Sequence, residues 1–130
     1  MTPLNKNSKR GREMAKKILV IDDDPIIVKY LVSLLQDNGY ETCSAGGGVE
    51  AFDVLQQERP DLITLDLEMP DEWGPRFYRR LSQDSELKST PVIVVSGLAG
   101  RHAIKKAVAF ISKPFDPDKL IGIIRGTLGE

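Results

Sequence analysis

Cysteine and histidine are almost missing from this 130-residue chain, with Cys43 and His102 the only examples of each. A disulfide framework and a Cys/His zinc site are thereby excluded, because both need several such residues. A histidine-dependent triad within one chain would have to use His102. No apolar run approaches the roughly 20 residues that cross a bilayer as a helix. Residues 1–17 are polar and basic, with no apolar stretch of the secretory kind. The expectation is a cytoplasmic, single-domain protein that is not inserted in a membrane and whose chemistry rests on oxygen ligands. A composition of 41% hydrophobic and 28% charged residues is that of a globular chain.

Charge is unevenly distributed behind a formal net value of −1. Residues 1–17 carry six cations, Lys6, Lys9, Arg10, Arg12, Lys16 and Lys17, against Glu13 alone. Residues 18–130 hold the other 12 Lys and Arg and 18 Asp and Glu. A basic arm can touch nucleic acid or an acidic surface. This one has no aromatic residues and no periodicity, and Met14 offers an alternative start. Residues 1–15 are therefore read as a flexible basic extension and 16–130 as the folded domain. The acidic body argues against direct nucleic-acid binding.

Ile18-Leu19-Val20-Ile21 has the continuous aliphatic pattern of a strand buried on both faces, ending in Asp22-Asp23-Asp24-Pro25. Pro25 suits the first turn of a helix, and a carboxylate just before it, Asp24, suits the cap. Ile26, Ile27, Tyr30, Leu31, Leu34 and Leu35 recur at helical spacing up to Asn38-Gly39. Tyr40 to Ala45 predicts a short strand, and Gly46-Gly47-Gly48 a loop without dinucleotide or P-loop spacing. A helix with Val49, Phe52, Val54 and Leu55 follows, ending before Pro60. Leu62 to Leu65 is the third strand, closing on Asp66. A loop over Met69–Gly74 then leads to a helix with Phe77, Tyr78 and Leu81. Pro91 to Val95 is the fourth strand, ending at Ser96-Gly97. A short helix with Ile104 and Val108 precedes the fifth strand, Ala109 to Ser112. Pro117 to Leu128 forms the last helix, with Leu120, Ile121, Ile123, Ile124 and Leu128 inward. Five strands alternating with five helices specify an α/β doubly wound parallel sheet.

Such sheets bind ligands outside the carboxyl ends of their strands. The residues leaving the strands here are Asp22 and Asp23, Asp66, Ser96 and Lys113. Two carboxylates about 4 Å apart repel by about 4 kcal/mol at an effective dielectric near 20. A hard divalent cation offsets that repulsion, and all-oxygen ligation suits Mg2+. Asp22, Asp23 and Asp66 are the candidate ligands, with the backbone carbonyl of Glu68 completing the set.

At this point the chain resembles the receiver domain of two-component response regulators, in a single-domain form. The motifs are Ile18 to Pro25, Asp61 to Asp66 with Met69-Pro70, Val94 to Gly97, and Ser112 to Phe115, and the likeness spans about Lys16 to Leu128. It implies a flavodoxin-like sheet in the order 2-1-3-4-5. It implies that Asp66 accepts a phosphoryl group from a histidine kinase or histidine phosphotransfer protein, with Asp22 and Asp23 holding Mg2+. Ser96 and Gly97 would lie beside the phosphoryl group, with Lys113 pairing with it. Phe110 would be the aromatic switch, and Lys113–Pro114 a cis peptide. Gly97 is expected to leave room where a larger side chain would crowd the phosphoryl oxygen. The expected outcome is a changed partner-binding surface around strands four and five, through an unidentified output protein or a phosphorylation-dependent homodimer. The protein would be a signalling acceptor rather than a turnover enzyme. The chain ends right after the last helix, so a stand-alone module is expected.

Three features depart from that family pattern. Ser96 and Lys113 are close in sequence, so the fourth helix is expected to be short. Asp71-Glu72-Trp73 replaces the usual turn, and Trp73 is either a kinase contact or a loop anchor. Leu98 and Glu68 flank the acceptor and predict slow loss of the phosphoryl group. His102 reads as a surface residue and Cys43 as packing. The alternatives are a receiver-like scaffold that binds a partner without phosphorylation, and a Mg2+-dependent phosphohydrolase. The second would need a further acid–base carboxylate and a substrate cap that the sequence does not supply.

Overall fold

The computed structural model describes residues 15–69, 71–72, 74–97 and 106–130. Five strands, β1 (Lys17–Ile21), β2 (Glu41–Ala45), β3 (Leu62–Leu65), β4 (Val92–Ser96) and β5 (Ala109–Ser112), form one parallel sheet in the order β2-β1-β3-β4-β5. Among the described residues four helices pack on it: α1 (Pro25–Asp37), α2 (Gly48–Glu58), α3 (Gly74–Gln83) and α4 (Pro117–Leu128). No helix among these residues is long and apolar enough to cross a membrane.

The pleat sorts each aliphatic strand onto two faces. Leu19, Ile21, Ile63, Leu65, Val92 and Val94 pack with Ala51 and Leu55 of α2 and with Phe77 and Leu81 of α3. The alternate residues Ile18, Val20, Leu62, Ile93, Val95 and Ile111 pack with Leu31 and Leu35 of α1 and with Leu120, Ile121 and Ile124 of α4. Burying each such Leu or Ile side chain contributes about 1.5–3 kcal/mol. A sheet covered on both sides explains why these strands read as unbroken apolar runs.

The short helix expected around Ile104 and Val108 is a partial correction. Ile104 lies outside the described residues. Val108 is not helical: its N–H is taken by the Val92 carbonyl at 2.8 Å, which begins the pairing of β4 with β5. The inward face of α1 is also narrower than its pattern, since Leu31 and Leu35 are buried while Ile26 is 77% exposed and Tyr30 is exposed beside Phe115. Val49, in the first turn of α2, is likewise exposed.

One polar side chain sits inside this core. Thr64 of β3 is buried, and among the described residues its Oγ1 has no hydrogen-bond partner. A buried hydroxyl without a partner costs more than it returns, whereas an apolar group of the same shape does not. Thr64→Val is therefore expected to stabilise the fold by about 1 kcal/mol. The check is the urea unfolding midpoint, which should rise at unchanged slope.

Candidate functional site

Three backbone hydrogen bonds carry the strand pairing one residue past the strands and thereby set the rim. The Asp22 N–H donates to the Ala45 carbonyl at 3.2 Å, the Asp66 N–H to the Ile21 carbonyl at 3.0 Å and the Lys113 N–H to the Ser96 carbonyl at 3.0 Å. The chain then turns sharply after β1. The Asp24 N–H donates to Asp22 Oδ1 at 3.0 Å, and Asp24 Oδ1 caps α1 by accepting the Ile26 N–H at 2.9 Å. Asp24 is thus committed to the helix, and Pro25 fills the first position, where a missing N–H costs nothing. After β5 the Lys113–Pro114 peptide is cis.

One carboxylate oxygen from each of Asp22, Asp23 and Asp66 lies within 4.8 Å of the others, with Asp22 and Asp66 buried and Asp23 exposed. Lys113 reaches across from β5. Its Nζ donates to Asp22 Oδ2 at 2.7 Å and stands 3.7 Å from Asp66 Oδ1. These groups line an open cleft of about 470 Å³ with Glu68, Met69 and Gly97. Burial raises the pKa of Asp66 and the charge of Asp22 adds to it, against Lys113, the Glu68 N–H and the Ser96 hydroxyl. Burial acts to lower the pKa of Lys113. The hydrogen bond and charge of Asp22, with the charges of Asp66 and Asp23, outweigh it and leave the pKa raised. The ammonium is held protonated by the carboxylates it separates.

Asp22, Asp23, Asp66, Ser96 and Lys113 therefore meet at one rim, with Glu68 and Gly97 on the same cleft. Phe110 does not line it. It is half-buried, pairs with Val94 in the ladder and packs on the α2/α3 side of the sheet. At Gly97 a Cβ would meet nothing within 4 Å among the described residues. Leu98, Pro70, Trp73 and His102 lie outside the described residues. Cys43 is half-buried, and burial pushes its thiol up to about 11, the state of a packing residue rather than a nucleophile.

Residues 18–125 match the response regulator receiver domain family. The chain is 39% identical over 112 residues to protein Rrf1 of Nitratidesulfovibrio vulgaris, covering 85% of this chain and 81% of that one. It is 32% identical over 122 residues to the polar-differentiation response regulator DivK of Brucella anthropi, covering 90% and 99%. Among solved structures, the chemotaxis response regulator CheY4 of Vibrio cholerae superposes with a TM-score of 0.78 at 29% identity, covering 86% of this chain and 98% of that one. A CheY-like receiver domain protein of Methanospirillum hungatei gives 0.82 at 27% identity, covering 88% and 94%.

A raised carboxyl pKa ties the site to stability. Because the folded value of Asp66 lies above its ordinary 3.8, the linked stability is fully present below 3.8 and is lost as pH rises through the folded value. With divalent cations chelated, Asp66→Asn should unfold at higher urea than the parent at about pH 7, the gap closing toward about pH 4. Coincident midpoints across that range would show that Asp66 carries no such strain.

Proposed function

The chain belongs to the response regulator receiver domain family, and from that premise we propose that it is a cytoplasmic phosphoacceptor switch, with Asp66 receiving the phosphoryl group. The observation that carries this reading is a carboxylate in an open acidic cleft, with the Lys113 ammonium 3.7 Å away and the Ser96 hydroxyl bonded to it. An Asp66 oxygen attacks phosphorus of a phosphohistidine on a kinase or phosphotransfer protein. The O–P bond forms as the P–N bond breaks, and the leaving imidazole takes up a proton from solvent.

The donor set fits Mg2+. Three carboxylate oxygens within 4.8 Å form a hard, all-oxygen cluster, and burial, with the charge of Asp22 second, raises the pKa of Asp66 within it. Asp22, Asp23 and Asp66 would hold the ion, with the Glu68 carbonyl. When bound, it supplies neutralisation of charge on the phosphoryl oxygens. The chain's own groups do the rest. Asp22 anchors Lys113 over the cleft, Lys113 offers a positive charge to the incoming oxygens, and Ser96 offers a hydroxyl donor. Acceptance adds about −1.5 to −2 charges at Asp66. Lys113 and Ser96 lie at the ends of β5 and β4, so the switched surface is assigned to those two strands, with Phe110 as its aromatic element and the output protein or a second copy as its reader. Glu68, which lines the cleft, and Leu98, two residues past Ser96 in the sequence, are assigned the slow loss of the group.

Incubation with acetyl phosphate and Mg2+, followed by intact mass, tests this reading. The parent should gain one phosphoryl group, Asp66→Asn none, and Lys113→Ala should label on the order of 100-fold more slowly. Labelling of Asp66→Asn equal to the parent would remove Asp66 from the role.

A further inference from the structure

Helix α2 begins without a capping side chain of its own. Its N-cap is Gly47, which makes no side-chain hydrogen bond, although the first N–H groups of a helix need acceptors. The acceptor comes from the loop that follows Asp66. Asp71 Oδ1 accepts the Gly48 N–H at 3.0 Å, and Asp71 Oδ2 the Val49 N–H at 3.2 Å. Those two bonds hold the Asp71 carboxyl below the usual carboxylate range. The neighbouring Glu72 pairs with Arg80 through two bonds, Nε to Oε2 at 3.0 Å and Nη2 to Oε1 at 2.7 Å. Arg80 also donates to the Gly48 carbonyl at 3.3 Å, and its guanidinium lies 4.6 Å from the Phe52 ring centre. A Cβ on Gly47 would stand 2.6 Å from Asp71 Oδ1, and one on Gly48 would collide with Glu72 Oε1. The consecutive glycines are the space into which the two carboxylates fit.

The same loop forms a wall of the acidic cleft. It leaves β3 at Asp66 and is closed at its base by the Gly74 N–H, which donates to the Leu67 carbonyl at 2.8 Å. A Cβ on Gly74 would lie 2.8 Å from Leu67 Cα, so that closure also depends on glycine. Between this base and the tip held by Asp71 and Glu72 sits Glu68, which lines the cleft together with Asp66.

We propose that Asp71 is a positioning residue for phosphoryl acceptance: by capping α2 it fixes the loop, and with it the place of Glu68 on the cleft beside Asp66. The inference rests on the reading of Asp66 as the acceptor. It separates from a plain stabilising role because the cap can be restored without the tie. Asp71→Ala vacates the space beside Gly47, and Gly47→Ser in that background gives α2 a capping side chain of its own.

The experiment measures the urea midpoint, the acetyl phosphate labelling rate with Mg2+, and amide exchange at Glu68 in the unlabelled protein. Asp71→Ala should lower the midpoint, speed Glu68 exchange and slow labelling by about 10-fold. The double variant should recover the midpoint while exchange stays fast and labelling slow. Asp71→Asn, which keeps one acceptor, should fall between and serves if the alanine variant does not fold. Parental labelling and exchange in the double variant, or in Asp71→Ala itself, would overturn the proposal. Failure of the parent to label would instead overturn the acceptor reading, and Glu68 exchange would still decide whether Asp71 holds the loop.

Discussion

The site exists because one ammonium is placed between carboxylates that otherwise repel. Asp22 and Asp66 end strands that are neighbours in the sheet, so their separation is fixed by the pairing of β1 with β3 and cannot relax. Asp23 adds a third negative charge to the same cluster. Lys113 comes from β5, with β4 between its strand and β3, and lands 2.7 Å from one carboxylate and 3.7 Å from the other. Its charge neutralises only part of the cluster, which leaves an excess of negative charge facing an open cleft. That excess distinguishes a site able to take a cation from a closed ion pair.

The two-sided core makes this arrangement rigid enough to matter. β1, β3 and β4 contribute buried residues to the helix-covered core on both faces of the sheet, and the pairing continues one residue beyond β1, β3 and β5 through single backbone bonds. A shift of one residue in β1 would turn Asp22 to the opposite face and replace Ile18 and Val20 with the residues that now face α2 and α3. The register that buries the aliphatic residues is therefore the register that assembles the site.

The sheet and rim were legible in the sequence because their signals are local. A β-branched run that stops at Asp or Ser shows both where a strand is buried and where it surfaces, as Ile18–Asp22 and Val92–Ser96 do. Lys113 was legible for the same reason, and the family likeness supplied its expected role. The cap of α2 was not legible. Asp71 is 23 residues from Gly48, and Asp71-Glu72 read only as an unusual turn, while Gly46-Gly47-Gly48 read only as a loop. One signal was available: a helix opening on glycines, with no Ser, Thr, Asp or Asn at its cap, must find its acceptors elsewhere in the chain. Val108 misled in the opposite way, since an apolar residue ahead of a strand looks helical until its N–H is seen to be bonded to Val92.

Placing Asp66 between a flexible cation and a fixed loop has a directional consequence. On one side Asp66 faces Ser96 and Lys113, whose four-carbon stem lets the ammonium move; on the other lies Glu68, within a loop tied at base and tip. In the unmodified site Lys113 lies closer to Asp22 than to Asp66. A group carrying about two negative charges on Asp66 would reverse that preference, because Coulomb attraction grows with charge and the ammonium has only about an ångström to travel. The fixed loop would yield little, so the displacement would be taken up on the Ser96 and Lys113 side. Those residues end β4 and β5, and Phe110 sits three residues before Lys113 in a strand that, among the described residues, is paired on one side only. Strain from a charge at Asp66 would thus leave the site toward the open edge of the sheet, where an edge strand is least restrained.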